Sequence, residues 1–306
     1  MRALLAILAA AAAPAATVPS APPVQTVLTQ SGPWFVDYAA TSCKLRRPFG
    51  TDHQRVWVEF QQRAPRAEYH MMLYGPGIGA LGASAPLEFR LGDGYLIKAN
   101  GWTAATTLNG IKLMRFYLGD PETDGRSRAA SYLAYQAPGA LAGATYLEIK
   151  TSKADLKFTS GAIQAAITGL NGCVDDLVRG WGLDPAVQRT LSRQPMPLGE
   201  PGKWLTSNDF PERELEEGRG GIVEFRLIVS AAGEPTGCTV QSGLAYAGFD
   251  QATCGAVMRR AHFSPALDAQ GKPVASYYSS VVSFIHGGSV AEAMDDPWAD
   301  QPSIVQ

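Results

Sequence analysis

The chain runs to 306 residues, room for two domains of ordinary size. Apolar residues make up 46% and charged residues 18%, the balance of a soluble globular protein. With a formal net charge of −2 it lacks the basic surplus of a nucleic-acid binder, so no nucleic-acid partner is expected.

The N-terminus reads as a signal peptide over residues 1–16. Arg2 is a minimal positive n-region, Leu4 to Ala13 a short apolar core, and Ala13-Pro14-Ala15 a small-x-small cleavage site. The apolar run Ala3 to Ala16 is broken by Pro14 and falls short of the ~20 apolar residues of a bilayer span, so cleavage is expected rather than membrane anchoring. Residues 17–33, rich in Pro, Ser, Thr and Ala, read as a disordered leader. Export to an oxidising compartment makes disulfide candidates of the four cysteines, Cys43, Cys173, Cys238 and Cys254. No CxxC pair occurs and the four histidines stand apart from the cysteines, so no metal site is expected. Three pairings are possible, and the division of the chain favours one bridge per domain, Cys43–Cys173 and Cys238–Cys254.

Residues 34–183 read as a β-rich domain that closes on a helix. Arg55 to Gln61 alternates Val56, Val58 and Phe60 against Trp57, Glu59 and Gln61. Glu68 to Tyr74, Leu87 to Leu91, Leu113 to Leu118 and Thr145 to Ile149 are further strands, punctuated by turns such as Asn100-Gly101 and Asn109-Gly110. Short, regularly spaced strands point to an antiparallel sandwich or barrel. From Ser160 to Trp181, Ile163, Ile167, Leu170, Val174, Leu177 and Trp181 form one apolar helical face, with a weak point expected at Asn171-Gly172. Cys173 lies on that face and can reach Cys43, a bridge worth on the order of 5 kcal/mol in the chain-entropy model. Residues 184–207 carry Pro185, Pro195, Pro197 and Pro201 without periodicity and read as a linker.

In residues 208–286, Pro211 and Gly218 bracket a short helix. Gly221 to Val229 alternates strictly, Ala231-Ala232-Gly233-Glu234 turns, and Thr236 to Ser242 returns. Asp250 is placed to cap a second helix, with Phe249 stapled on Cys254. Cys254, Val257, Met258 and Ala261 follow as its buried stripe, facing Cys238. Ala275 to Ile285 is the last strand. Residues 287–306 hold Glu292, Asp295, Asp296 and Asp300 with no Lys or Arg and read as a disordered acidic tail.

Phe210-Pro211, Gly220-Gly221-Ile222-Val223 and Arg259-Arg260-Ala261-His262-Phe263-Ser264-Pro265, in this order and spacing, resemble the C-terminal domain of the energy-transducer TonB family. The resemblance implies a three-stranded antiparallel sheet with two helices, and thus an α+β chain overall. It also implies a non-enzymatic binding or adaptor module of Gram-negative envelope transport, working in the periplasm and without a cofactor. An extended segment of an envelope protein, such as a TonB-dependent outer-membrane receptor, would pair with the last strand by β-augmentation. Tyr277, Tyr278, Ser279, Ser280 and Val281 would be its contacts, with Arg259 and Arg260 as further partner-facing cations. The chain departs from the family in having no histidine in its N-terminal apolar run and a folded domain where the family has a spacer. Two alternatives stand beside this reading: a membrane-anchored energy transducer held by residues 3–16, and an enzyme with its site in the β-rich domain.

Other signals carry less. Gly77-Ile78-Gly79-Ala80-Leu81-Gly82 fits GxGxxG, but Ala83-Ser84-Ala85-Pro86 follows where a helix should open, which favours a glycine-rich turn. His53, His70, His262 and His286 have no metal-binding spacing. Asp175-Asp176 occupies adjacent helical positions that point apart, the mark of a solvated face rather than of paired catalytic carboxylates.

Overall fold

The computed structural model describes residues 23–65, 69–80, 87–93, 95–99, 103–106, 112–118, 144–244 and 246–285. The signal peptide read over residues 1–16 and the acidic tail over 287–306 lie outside them, as do Leu81 and Gly82 of the glycine motif. The chain is α+β, with sheets predominating.

Among the described residues eleven strands precede the long helix Gln164–Gly180: β1 (Gln25–Thr29), β2 (Phe35–Tyr38), β3 (Cys43–Phe49), β4 (Val56–Gln62), β5 (Tyr69–Tyr74), β6 (Leu87–Leu91), β7 (Tyr95–Ala99), β8 (Thr103–Thr106), β9 (Lys112–Leu118), β10 (Tyr146–Lys150) and β11 (Asp155–Thr159). They form a five-stranded sheet in the order β1-β11-β10-β6-β7 and a six-stranded sheet in the order β2-β3-β4-β5-β9-β8. All pairs are antiparallel except β1 with β11. Because side chains alternate along each strand, each sheet turns one apolar row inward. Phe89, Leu147, Ile149 and Phe158 of one sheet share a core with Leu45, Phe49, Val58 and Leu73 of the other. Phe49 and Phe158 meet edge to face at 5.2 Å. Helix α1 (Gln164–Gly180) lays Ile167, Leu170 and Val174 on this core, and Cys173 closes a disulfide on Cys43. The helix runs unbroken through Asn171-Gly172, since buried Leu170 and the bridged Cys173 clamp it on either side.

The leader reading of residues 17–33 is corrected over its described part. Gln25–Thr29 is the parallel edge strand β1, because Leu28 finds a place in the core and the β-branched Thr26 and Val27 favour extended backbone. The linker reading of residues 184–207 is corrected as well. This segment holds α2 (Pro185–Arg189), capped by Asp184, and β12 (Met196–Pro197), followed by two 3-10 turns. Its ends are ordered by partners outside it rather than by its own periodicity: Arg189 of α2 pairs with Asp175 of α1, while Ser192 N donates to Leu267 O at 2.9 Å and Leu198 N to His262 O at 2.7 Å.

The second unit comprises α3 (Glu212–Glu216), β13 (Gly221–Val229), β14 (Pro235–Leu244), α4 (Ala247–Arg260), β15 (Phe263–Ser264), β16 (Ala266–Leu267), β17 (Pro273–Val274) and β18 (Ser276–Phe284). Its main sheet has the order β14-β13-β18 and is antiparallel throughout, while β12 pairs with β15 and β16 with β17. The β13–β14 turn depends on Gly233, which sits at φ +88° where a Cβ would collide with the Phe263 carbonyl. Helix α4 covers the inner face of the sheet, tied by Cys238–Cys254. It starts at Ala247, earlier than the cap reading of Asp250 requires. Phe249 packs on Phe210 and Phe284 rather than on Cys254, which turns Phe249, Thr253, Ala256 and Val257 inward.

The outer face of this sheet docks on the first unit. The Arg226 guanidinium lies 3.9 Å over the Trp181 ring, Arg63 pairs with Glu224, and Thr41 Oγ1 donates to Gln241 O at 3.1 Å. Between them Ala64, Val178 and Leu183 pack with Ile228 and Tyr277.

Candidate functional site

The candidate site is the free side of β18, and its geometry follows from register. In an antiparallel pair the N–H and C=O of one residue point to the same side and alternate along the strand. Ile228 O accepts from Thr236 Oγ1 at 3.3 Å and Ser230 N donates to Glu234 O at 2.9 Å, so the even-numbered residues of β13 turn toward β14. Val223, Phe225, Leu227 and Val229 therefore bond across to Val282, Ser280, Tyr278 and Ser276, their register partners. The backbones of Tyr277, Ser279, Val281 and Ser283 consequently point out of the sheet. β18 ends the strand order, and no described strand lies beyond it.

Side chains on the inner face hold the strand in place. Tyr278 rests on Trp204 at 5.7 Å and on Phe263 at 5.0 Å between ring centroids. Phe284 meets Phe249 at 4.5 Å and Phe210 at 5.5 Å. On the opposite face Ser279 and Ser283 are exposed and Val281 is 56% exposed. Tyr277, by contrast, is buried: its ring meets Trp181 edge to face at 5.4 Å and its hydroxyl donates to Pro65 O.

The residues singled out from the sequence thus fall into different environments. Ser279 and Val281 stand open along the edge, Ser280 and Tyr278 are half-buried, and Tyr277 is buried. Arg260 is tied down by two bonds to Asp209, at 2.6 and 3.1 Å, and one to Trp204 O at 2.7 Å. Arg259 reaches the same carboxylate only at 3.5 Å and stays largely exposed. The Arg260 hydrogen bonds hold the Asp209 carboxyl well below the usual carboxylate range, aided by the Thr206 N–H and hydroxyl, and Asp209 in turn raises Arg260. Thr206 and Asp209 form a capping box, a spacing visible in the sequence that the linker reading passed over.

Elsewhere, Asp175 pairs with Arg189 and Asp176 with Arg179, so each carboxylate of that doublet has its own cation. His262 Nδ1 lies 3.1 Å from Glu234 Oε2. Among the described residues no helix is long and apolar enough to cross a membrane, which leaves β-barrel spans untouched.

No curated protein and no solved structure matches the chain. A family model does, that of the Gram-negative bacterial TonB protein C-terminal, over residues 206–285. The match opens at Thr206 of the capping box and closes one residue past β18. Residues 206–285 of this chain are therefore a TonB C-terminal domain, a module associated with Gram-negative envelope transport.

Proposed function

We propose that this is an exported periplasmic protein, its signal peptide cleaved, that acts as a non-enzymatic binding or adaptor module of TonB-type envelope transport. It takes up an extended segment of an envelope protein, of the kind found in TonB-dependent outer-membrane receptors, as an added strand beside β18. The observation that carries this reading is the outward row of β18 in a TonB C-terminal domain, with exposed uncharged side chains and no described strand alongside. Main-chain bonds to such a row supply affinity, and neighbouring side chains supply selectivity. Ser279, Ser280 and Val281 are the contacts in this reading. Tyr277 and Tyr278 anchor the strand from its two faces, Arg259 is a further, exposed partner contact, and Arg260 holds the frame.

The alternation gives a direct test. Val281→Pro removes an outward N–H and leaves the bonds to β13 in place, whereas Val282→Pro removes a bond of the ladder itself. With the full chain as bait in an envelope extract, Val281→Pro should lose its captured protein at a melting temperature near that of the parent. Val282→Pro should lower the melting temperature. Undiminished capture by folded Val281→Pro would rule out the β18 edge.

A further inference from the structure

The outward row of β18 ends against a side chain from the segment that joins the two domains. By the same alternation Ala275, one residue before the strand, belongs to the outward row, and its carbonyl accepts from Gln188 Nε2 at 3.0 Å. The other end of that carboxamide, Oε1, accepts from Ser276 Oγ at 2.6 Å. Gln188 is 1% exposed and Ser276 is fully buried, so the carboxamide itself is withdrawn from water. The next outward residue, Tyr277, is held by Trp181 and Pro65. Within β18 itself the row faces solvent from Ser279 onward. A carboxamide offers the same donor and acceptor types as a peptide group. Gln188 therefore occupies the position in which an added strand would meet Ala275.

We propose that Gln188 is the stop of the receiving edge: it ends the register open to a partner's extended segment at Ser279 and ties the length of that register to the position of α2. This rests on β18 being the receiving strand. Helix α2 follows α1, which Cys43–Cys173 fastens to the first domain. Displacing that domain from the sheet withdraws Gln188, Trp181 and Pro65 together and adds Ala275 and Tyr277 to the row. The open length is then a property of domain docking as well as of β18.

Site-specific photo-cross-linking in the intact envelope tests this on the full chain, with p-benzoylphenylalanine replacing either Val281 or Ala275, both exposed. With Gln188 present, a partner should be cross-linked from position 281 and only at background from position 275. In Gln188→Ala the yield at 275 should rise to that at 281, while the yield at 281 stays unchanged. Gln188→Glu keeps the side chain's size and its bond to Ser276 but loses the Nε2 donor, and should show the same gain if the alanine variant fails to fold. Equal cross-linking from 275 and 281 in the parent, or no gain at 275 in a folded variant, overturns the stop. Background yield from 281 in the parent instead overturns the reading of β18, which separates the two failures.

Discussion

Asp209 shows how one carboxylate can hold the corner of a domain. It closes the capping box with Thr206 and receives Arg260 on both oxygens, joining the strap before α3 to the end of α4. Its pKa is depressed in the folded state, first by Arg260. A carboxylate of this kind adds stability that is fully present above its unfolded pKa of about 3.9 and disappears as the pH falls through the lower folded value. Asp209→Asn should therefore lower the melting temperature at pH 7, with the gap to the parent narrowing below about pH 4. Thermal melts across that range check it, and a gap constant with pH would assign the loss to packing alone. Asp250 has the opposite character: its Oδ1 is buried without a hydrogen-bond partner, and burial raises its pKa. From the sequence, Asp250 alone is read as a cap. The cap at Asp209 was decided by the strap that brings Thr206 and Arg260 to it, and Asp250 loses the role because the aromatic cluster pulls α4 back to Ala247.

Among the elements, β13 was the most legible. Val223, Phe225, Leu227 and Val229 alternate in the sequence and all four are buried beneath α4. The helical stripe of α4 was less so, because Phe249 joins Phe210 and Phe284 and rotates the helix about its axis. Met258 is thereby left half-buried at the margin of the core. The Cys238–Cys254 bridge spans a separation of 16 residues between β14 and α4. The chain-entropy model puts a loop of that length at about 3 kcal/mol. Cys238→Ser with Cys254→Ser should lower the unfolding free energy in denaturant by roughly that amount. A loss well under 1 kcal/mol would mean that core packing alone holds α4 on the sheet.

At the scale of the whole molecule, the first domain covers part of the outer face of the TonB C-terminal sheet, and a charge of the sheet is buried beneath it. Arg226 is 5% exposed, bonds Thr239 Oγ1 at 3.2 Å, and has Nε and Nη1 buried without hydrogen-bond partners. Burial lowers its pKa to about 10. Stacking on Trp181 offsets part of that cost. Replacing a buried charge with an apolar side chain of similar volume is often neutral or stabilising by roughly 1–4 kcal/mol. Arg226→Met should accordingly match or exceed the parent in stability. Trp181→Ala, which strips the ring and leaves the charge, should cost about 2–4 kcal/mol. Denaturant unfolding of the two variants checks this, and a destabilised Arg226→Met would make the cation–ring contact the principal tie of the interface.

Periodicity and spacing in the sequence determined the α+β class, the helix that bears Cys173, the alternation of β13 and the resemblance of the C-terminal module, because these depend on residues close together in the chain. Domain-wise pairing of the cysteines could be argued from the same order. The tertiary structure alone decided that residues 25–29 and 184–207 are ordered, since their bonds go to distant segments rather than to near neighbours. It alone decided that Tyr277 is spent on the domain interface, and that the outward row of β18 opens only at Ser279. Neither could be read locally, because the partners, Pro65, Trp181 and Gln188, lie between 87 and 212 residues away or on the other domain.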